Sequence, residues 1–312
     1  MTEPGDIVGK LEPELGRAAG PPEPLDGGIT NRNFRVRFGT RECVLRLPGA
    51  STGLLGIDRE AERLASTEAA RLRIAPALVA AGEGYLVTEF VDGEPIDSDQ
   101  LRAAPASAAH ALRAFHDSKL SLPTRFWVPE LLAEYERIVG ERGGSVPQTY
   151  ARAQTLAADI ADALPLTDPV PCHNDLLGAN VLARRSRAGG TDLILVDWEY
   201  AGTGHRVFDL GNLAVNNDFD TAAEDRLLEA YYGEAPSPGR RAALGLMRIM
   251  SDAREGAWGV VQGVISELDF DFAGYARRHF ARLERAASGP DLEHWLRVAS
   301  AEPPVLRPEV VG

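Results

Sequence analysis

The chain has 312 residues, of which 44% are hydrophobic and 25% are charged, a composition typical of a globular protein with one large domain or two ordinary ones. Its net charge of −13 argues against nucleic acid or an anionic membrane as a partner, because binding phosphates requires a basic surface. The sequence has no apolar stretch long enough to span a bilayer, no secretory signal pattern and only two cysteines, so we expect a cytoplasmic protein.

The first hundred residues predict the order β-β-α-β after a loose lead-in, rich in proline and glycine, that extends to about residue 24. Apolar residues alternate with arginines over 34–38, which predicts a strand, and residues 43–47 predict its hairpin partner. Apolar positions at helical spacing predict a helix over 58–72, and a short strand follows at 85–88. This pattern predicts a mixed sheet with one helix packed against it.

Helices dominate the prediction from residue 101 onward, with one helix across 131–139 and a long apolar-rich helix over about 241–268. A strand-rich island at 171–196 interrupts them, with apolar runs at 180–182 and 193–196. We therefore predict an α+β fold of two lobes joined near residues 90–95. A small β-rich lobe covers residues 1–92, and a larger, mainly helical lobe covers residues 93–312.

The strongest chemical signal is the segment PCHNDLLGANVL. Its spacing predicts a tight loop in which Asp175 faces a substrate hydroxyl while the amide oxygen of Asn180 binds a metal that neutralises phosphate charge. Asp197 ends the second apolar run and supplies another hard oxygen ligand of the kind Mg²⁺ prefers, and Glu199 is a candidate for a second ion. Taken singly, Asp175 or Asp197 could be an ordinary loop carboxylate that caps a helix or a turn. Their order behind a β-rich lobe predicts that Asp175, Asn180 and Asp197 are catalytic.

Segments between about residues 25 and 280 resemble the choline/ethanolamine kinase branch of the aminoglycoside-phosphotransferase-like family. The Asp–Asn–Asp trio is shared by the whole kinase-like superfamily, and three segments narrow the resemblance to this branch: GGITNRN, VLRLPG and WGVVQGVIS. The resemblance implies the two-lobed protein-kinase-like fold and an enzyme that uses ATP and Mg²⁺. It also implies structural roles for two residues. His173 would hold the catalytic loop by hydrogen bonds, and Asp209 would brace the catalytic core.

Two segments of the first lobe are candidates for nucleotide binding. Glycines let backbone N–H groups approach phosphate oxygens, so Gly28 of the GGITN segment is a candidate, with Thr30 and Asn31 as further donors. A simple hairpin turn is the alternative interpretation of that segment. The resemblance places the adenine ring against the linker between the lobes, where backbone groups of Glu89 and Val91 would bind it.

A kinase also needs a cation on the phosphates, and neither of the two lysines, Lys10 and Lys119, lies near a suitable element. The resemblance assigns this role to Arg46, at the position where most kinases have a lysine. A guanidinium can bind phosphate oxygens with two hydrogen bonds, so an arginine can chemically replace the lysine at this position. The resemblance further implies an acidic partner on the following helix, with Glu62 favoured and Glu60 as the alternative.

The sequence defines the substrate that accepts the phosphoryl group less well than it defines the nucleotide site. Eukaryotic relatives carry two tryptophans three residues apart on the late helix; Trp258 matches the second, while Glu255 stands at the first, and Asn216 replaces an acidic residue. Aromatic faces suit a quaternary ammonium, whereas a carboxylate suits a primary ammonium. Packing in the core is the alternative role for Trp258.

Together these features predict an ATP- and Mg²⁺-dependent kinase that phosphorylates the hydroxyl of a small amino alcohol, choline or ethanolamine first. One alternative is a kinase for an aminoglycoside or another hydroxylated amine, and another is a non-catalytic nucleotide-binding relative. Protein kinase activity is disfavoured, because no segment after Asp197 resembles an activation segment.

Overall fold

The computed structural model describes residues 3–25, 31–49, 52–185 and 191–301. Within these ranges, no helix is both long enough and apolar enough to cross a membrane. The first part of the chain forms a five-stranded antiparallel sheet whose spatial order is β1-β2-β3-β5-β4. Its strands are β1 (Glu23–Leu25), β2 (Asn31–Phe38), β3 (Arg41–Pro48), β4 (Leu78–Gly82) and β5 (Tyr85–Glu89).

A helix, α1 (Pro4–Leu15), precedes the sheet. The prediction of a loose lead-in was therefore wrong over these residues. Ile7, Val8 and Leu11 lie on one face of the helix and are buried in the same core as the apolar side chains of β2 and β3. Burial of this apolar face outweighs the poor helix propensity of the glycines in the segment, because tertiary packing supplies most of the stability of a short helix.

The helix α2 (Arg59–Arg71) follows β3 and confirms the predicted helix in this region. The Asp58 side chain caps it by accepting hydrogen bonds from the backbone N–H groups of Glu60 and Ala61. Alanines recurring every four residues, such as Ala61 and Ala65, are fully buried and belong to a core that continues into the second part of the chain. This packing turns Glu62 inward, and only 2% of its surface is exposed.

Helices make up most of the second part of the chain. The longest one, α9, is buried along most of its length and packs against six of the others. The helices are α3 (Ser98–Ala103), α4 (Ala106–His116), α5 (Val128–Glu141), α6 (Gln148–Ala163), α7 (Arg206–Asn216), α8 (Thr221–Tyr232), α9 (Pro238–Ile265), α10 (Phe272–Ala287) and α11 (Leu292–Ala299).

Two small sheets lie in this helical part, as the strand-rich island predicted. One joins β6 (Gly93–Pro95), β8 (Val181–Arg185) and β9 (Thr191–Leu195), and the other pairs β7 (Val170–Cys172) with β10 (Gly202–Gly204). A β-rich first part and a helical second part match the predicted α+β architecture. Because β5 belongs to the first sheet and β6 to a sheet of the second part, the chain passes between lobes near residues 89–93; the boundary at 92/93 stays a prediction.

Candidate active site

The loop that contains Asp175 begins where β7 ends. Asp209, in the first turn of α7, accepts hydrogen bonds from the backbone N–H groups of His173 and Asn174, both at 2.8 Å, and its carboxylate also contacts the His116 ring. Burial alone would raise the pKa of Asp209, but the hydrogen bond and charge of His116 hold that pKa below its ordinary value. Asp209 therefore braces the loop as the resemblance implied. It is fully buried.

His173 ties this loop to the end of β9. Its Nε2 lies 3.0 Å from the carbonyl oxygen of Val196, and its Nδ1 accepts a hydrogen bond from the backbone N–H of Asp175. Burial lowers the pKa of His173, which favours the neutral ring with its proton on Nε2. The ring thus has a structural role, and both of its nitrogens are occupied.

The structure brings the three residues of the predicted catalytic set together. The amide nitrogen of Asn180 donates to the backbone oxygen of Asp175 at 2.8 Å and to its carboxylate at 3.2 Å. The backbone N–H of Val196 donates to the backbone carbonyl oxygen of Asn180, which places Asp197 beside Asn180. Asp197 has a left-handed backbone, with φ of 65°, and this costly conformation directs the chain sharply out of the strand.

The donor set suits a magnesium ion. The amide nitrogen of Asn180 is engaged by Asp175, which leaves its side-chain oxygen as the ligand, and both Asn180 and Asp197 line the cavity between the lobes. An amide oxygen and a carboxylate are hard ligands of the kind Mg²⁺ prefers. Glu199 stays a predicted ligand of a second ion. It is buried and already accepts hydrogen bonds from Asn31 at 2.9 Å and from Arg59 at 3.3 Å, so it links the two lobes.

Arg46 lies on β3 and forms ion pairs with two carboxylates, those of Glu62 and Asp197. Glu60, the alternative partner, points away from Arg46 and pairs with Arg63 on the surface of α2. The structure therefore makes Glu62 the acidic partner of Arg46. The pairs fix the guanidinium at the side of the cleft where the candidate metal ligands Asn180 and Asp197 lie.

A cavity of about 440 Å³ lies between the lobes. Arg46, Asn180 and Asp197 line one part of it, and the linker residues Glu89 and Val91 line another. The predicted phosphate and adenine positions thus face the same cavity. Asn31 lies at the start of β2 and contacts Glu199, whereas Gly28 and Thr30 lie outside the described residues.

The sequence analysis missed Arg254, although it stands one position before Glu255. Its Nη1 donates to Glu255 at 2.7 Å and contacts Asp175 at 3.4 Å, and its guanidinium lies over the Tyr200 ring at 4.2 Å. Burial raises the pKa of Asp175 to about 8; Arg254 opposes this rise and Glu255 adds to it. The available signal was the charged run DARE within an otherwise apolar helix.

Glu255 and Trp258 occupy different environments on α9. Glu255 accepts a hydrogen bond from the Tyr275 hydroxyl at 2.6 Å and reaches Asp175 only through Arg254. Trp258 is 6% exposed, and its indole N–H donates to the Tyr200 hydroxyl at 2.8 Å. The structure therefore places Trp258 in the core instead of presenting an open face to a substrate, because α10 packs over the indole.

Comparison with known proteins agrees with this geometry. Residues 22–246 match the model of the phosphotransferase enzyme family. The chain belongs to that family. The prediction of a phosphotransferase is thereby confirmed at the level of the family, and so is the resemblance to the choline/ethanolamine kinase branch, since sequence relatives of this family member carry those names.

Protein LicA of Haemophilus influenzae is 27% identical to this phosphotransferase over 213 residues, which are 66% of this chain and 61% of LicA. The chain thus spans about three fifths of the length of that relative. Ethanolamine kinase 2 of Rattus norvegicus is 29% identical over 285 residues, covering 80% of this chain and 71% of the relative.

Solved structures confirm the two-lobed kinase-like fold of the phosphotransferase. A choline/ethanolamine kinase family protein from Mesorhizobium loti superposes with a TM-score of 0.79 at 28% identity, covering 96% of this chain and 99% of that one. The spectinomycin phosphotransferase APH(9)-Ia superposes with a TM-score of 0.54 at 14% identity, covering 96% and 98%. The second likeness shows the fold alone.

Proposed function

We propose that this phosphotransferase is an ATP- and Mg²⁺-dependent kinase that phosphorylates the hydroxyl of a small amino alcohol, with ethanolamine and choline as the first candidates. The observation that carries the proposal is that Arg46, Asn180 and Asp197 line one end of the cavity between the lobes, with the Asp175 carboxylate hydrogen-bonded to Asn180 beside them. These groups supply a base, two metal ligands and a phosphate-binding cation within one site.

Asp175 accepts the proton of the acceptor hydroxyl. Burial raises the pKa of Asp175 to about 8, so its carboxylate is a stronger base than an ordinary aspartate and can hold the proton during transfer. A bound Mg²⁺ would supply positive charge to the phosphate oxygens. Asn180 and Asp197 would hold the ion, and Arg46 would bind phosphate oxygens from the opposite lobe.

The amino-alcohol class rests on two features. Asp175 and Glu255 are two carboxylates on the acceptor side of the site and share a single guanidinium, that of Arg254, so this side keeps one net negative charge that favours a cationic group on the acceptor. Relatives that cover at least 80% of this chain are named for ethanolamine or choline, whereas the aminoglycoside-type neighbours are similar at the level of the fold. We therefore favour an amino alcohol over an aminoglycoside.

The test is ADP formation by the purified chain with Mg-ATP and a panel of ethanolamine, choline, 3-aminopropan-1-ol and aminoglycosides. We expect ADP formation that depends on an amino alcohol and is lost in the Asp175→Asn variant. Turnover with aminoglycosides alone would refute the proposed acceptor class. Equal ADP formation by wild type and Asp175→Asn would refute the proposed base.

A further inference from the structure

Arg254 places a buried positive charge directly beside the proposed catalytic carboxylate. Only 1% of this residue is exposed, and both of its ion pairs are made by one atom, Nη1, which contacts Asp175 and Glu255. The contact with Asp175 is 3.4 Å, at the outer limit of a hydrogen bond, so the guanidinium is bound more firmly to Glu255 than to Asp175.

This guanidinium occupies the position between Asp175 and Glu255 at which an ammonium group could otherwise pair with both carboxylates. It pairs with both carboxylates of the acceptor side, which leaves one net negative charge there, and it covers the aromatic face of Tyr200 at 4.2 Å. A second cation at that place would meet like charge at short range. A trimethylammonium group would gain less binding energy there than a primary ammonium, because it has no N–H group to donate to the carboxylate oxygens.

The second feature is the opposite edge of the guanidinium, which is formed by Nε and Nη2. Both Nε and Nη2 of Arg254 are buried, and neither has a hydrogen-bond partner among the residues that the structure describes. Leaving buried donors unsatisfied is costly, and the cost is greater for a charged group. The Nε–Nη2 edge carries two parallel N–H groups, which match the two oxygens of a carboxylate.

We propose that Arg254 selects the acceptor by binding a carboxylate on its Nε–Nη2 edge, so that the preferred amino alcohol is a hydroxy amino acid. The proposal rests on the proposed function, whose acceptor class it narrows. An acceptor of this kind brings its own carboxylate to Arg254 while its hydroxyl faces Asp175. Arg254 is then a specificity-determining residue, and the phosphoryl transfer itself is unchanged.

Two pairs of acceptors test the proposal, because the members of each pair differ only by a carboxylate: L-serine with ethanolamine, and L-homoserine with 3-aminopropan-1-ol. We expect wild type to favour the carboxylated member of at least one pair by about tenfold or more in kcat/KM. In Arg254→Met this preference should fall by about tenfold or more, and Arg254→Lys should lie between the two. Arg248→Met, on the same helix but paired with Glu224, should retain the wild-type ratio.

The ratio of kcat/KM values within a pair distinguishes selection of the acceptor by Arg254 from a general effect of Arg254 on phosphoryl transfer. A wild-type preference for the uncarboxylated member of both pairs would overturn the proposal, and so would an equal loss for every acceptor in Arg254→Met, since a contact with the transferred phosphoryl group affects all acceptors alike. If Arg254→Met does not fold, the double variant Arg254→Met/Glu255→Gln removes the opposing charges together and takes its place.

A binding measurement distinguishes failure of the subsite from failure of the proposed kinase activity. With Mg-ADP present, L-homoserine should raise the melting temperature of wild type more than 3-aminopropan-1-ol does, and Arg254→Met should abolish the difference. This difference without any turnover would support the subsite and refute the proposed reaction. Turnover of amino alcohols with no effect of the carboxylate in either assay would refute the subsite alone.

Discussion

Arg46 and Asp197 form an ion pair that joins the two lobes across 151 positions of the chain. Arg46 lies on β3 of the first sheet, and Asp197 follows β9 of the second lobe. Their contact brings the proposed phosphate-binding cation against a proposed metal ligand. Because the pair spans the cavity between the lobes, its loss should affect nucleotide binding before it affects folding.

The first prediction concerns Arg46. Arg46→Met keeps most of the stem length but removes the cation, so affinity for Mg-ATP should fall about 10- to 100-fold, the loss of a charge-assisted bond. Arg46→Lys should retain part of the affinity, because a lysine keeps the charge but cannot bond two oxygens at once. Titration calorimetry with a non-hydrolysable ATP analogue measures the effect.

Arg37→Met is the matched control for Arg46→Met, since Arg37 is exposed on the neighbouring strand β2. It should bind nucleotide as wild type does. If Arg46→Met, Arg46→Lys and wild type all bound Mg-ATP equally, the phosphate contact would have to be made by another group.

The second prediction separates the roles of the two aspartates. Asp175→Asn should lower kcat by at least about 10²-fold and leave nucleotide affinity nearly unchanged, because the proposed base faces the acceptor hydroxyl. Asp197→Asn should weaken Mg-ATP binding as well as turnover, because its carboxylate is the proposed metal ligand. Steady-state kinetics and nucleotide binding distinguish them, with the exposed Asp99→Asn as control. Near-normal turnover in Asp175→Asn would falsify the assignment of the catalytic loop.

Local sequence patterns were sufficient to predict the strands and the helix that carry the first-lobe residues of this site. The alternation in β2 and the apolar spacing in α2 reflect burial of one face, and that burial is repeated in the sequence at a fixed period. The choice between Glu60 and Glu62 could not be made this way. Both lie in the first turn of α2, and only the packing of this helix on the sheet turns Glu62 towards Arg46.

The third prediction is a pH dependence of stability that arises at His205. Burial lowers the pKa of His205 to about 4, and the neighbouring charges of Arg206 and His116 lower it further, against a weaker effect of Asp168. Between pH 6.5 and 4 the unfolded chain binds a proton that the folded chain does not. The free energy of unfolding should therefore fall by about 2 to 3 kcal/mol as the pH is lowered from 6.5 to 4.

His205→Asn provides the comparison for that pH dependence. The ring nitrogen of His205 accepts a hydrogen bond from the backbone N–H of Val207 and caps α7, and asparagine can also cap a helix but does not titrate. Urea unfolding at pH 7 and pH 4.5 should show a smaller loss in this variant than in wild type or in the exposed-site control His110→Asn. Equal losses in all three proteins would contradict the assignment to His205.

Arg254 shows where sequence patterns stop being informative. Nearly all basic residues of this chain are arginines, so one more arginine on a helix carries no signal of its own. Its contact with Asp175 joins residues 79 positions apart and depends on how α9 crosses the catalytic loop. The role of Trp258 was equally undetermined, because the same indole could face a substrate or fill the core, and its exposure is set by α10.

The last prediction tests the role of Trp258. The indole is 6% exposed, contacts Phe272 and Tyr275, and donates a hydrogen bond to the Tyr200 hydroxyl. Trp258→Leu should therefore lower the free energy of unfolding by about 2 to 3 kcal/mol, through lost packing and an unsatisfied hydroxyl, and KM for Mg-ATP should stay constant. Trp258→Phe should lose less stability, because it keeps an aromatic ring in the core. A rise of about 5- to 30-fold in KM for choline, with unchanged KM for uncharged alcohols, would instead show that the indole faces a cation.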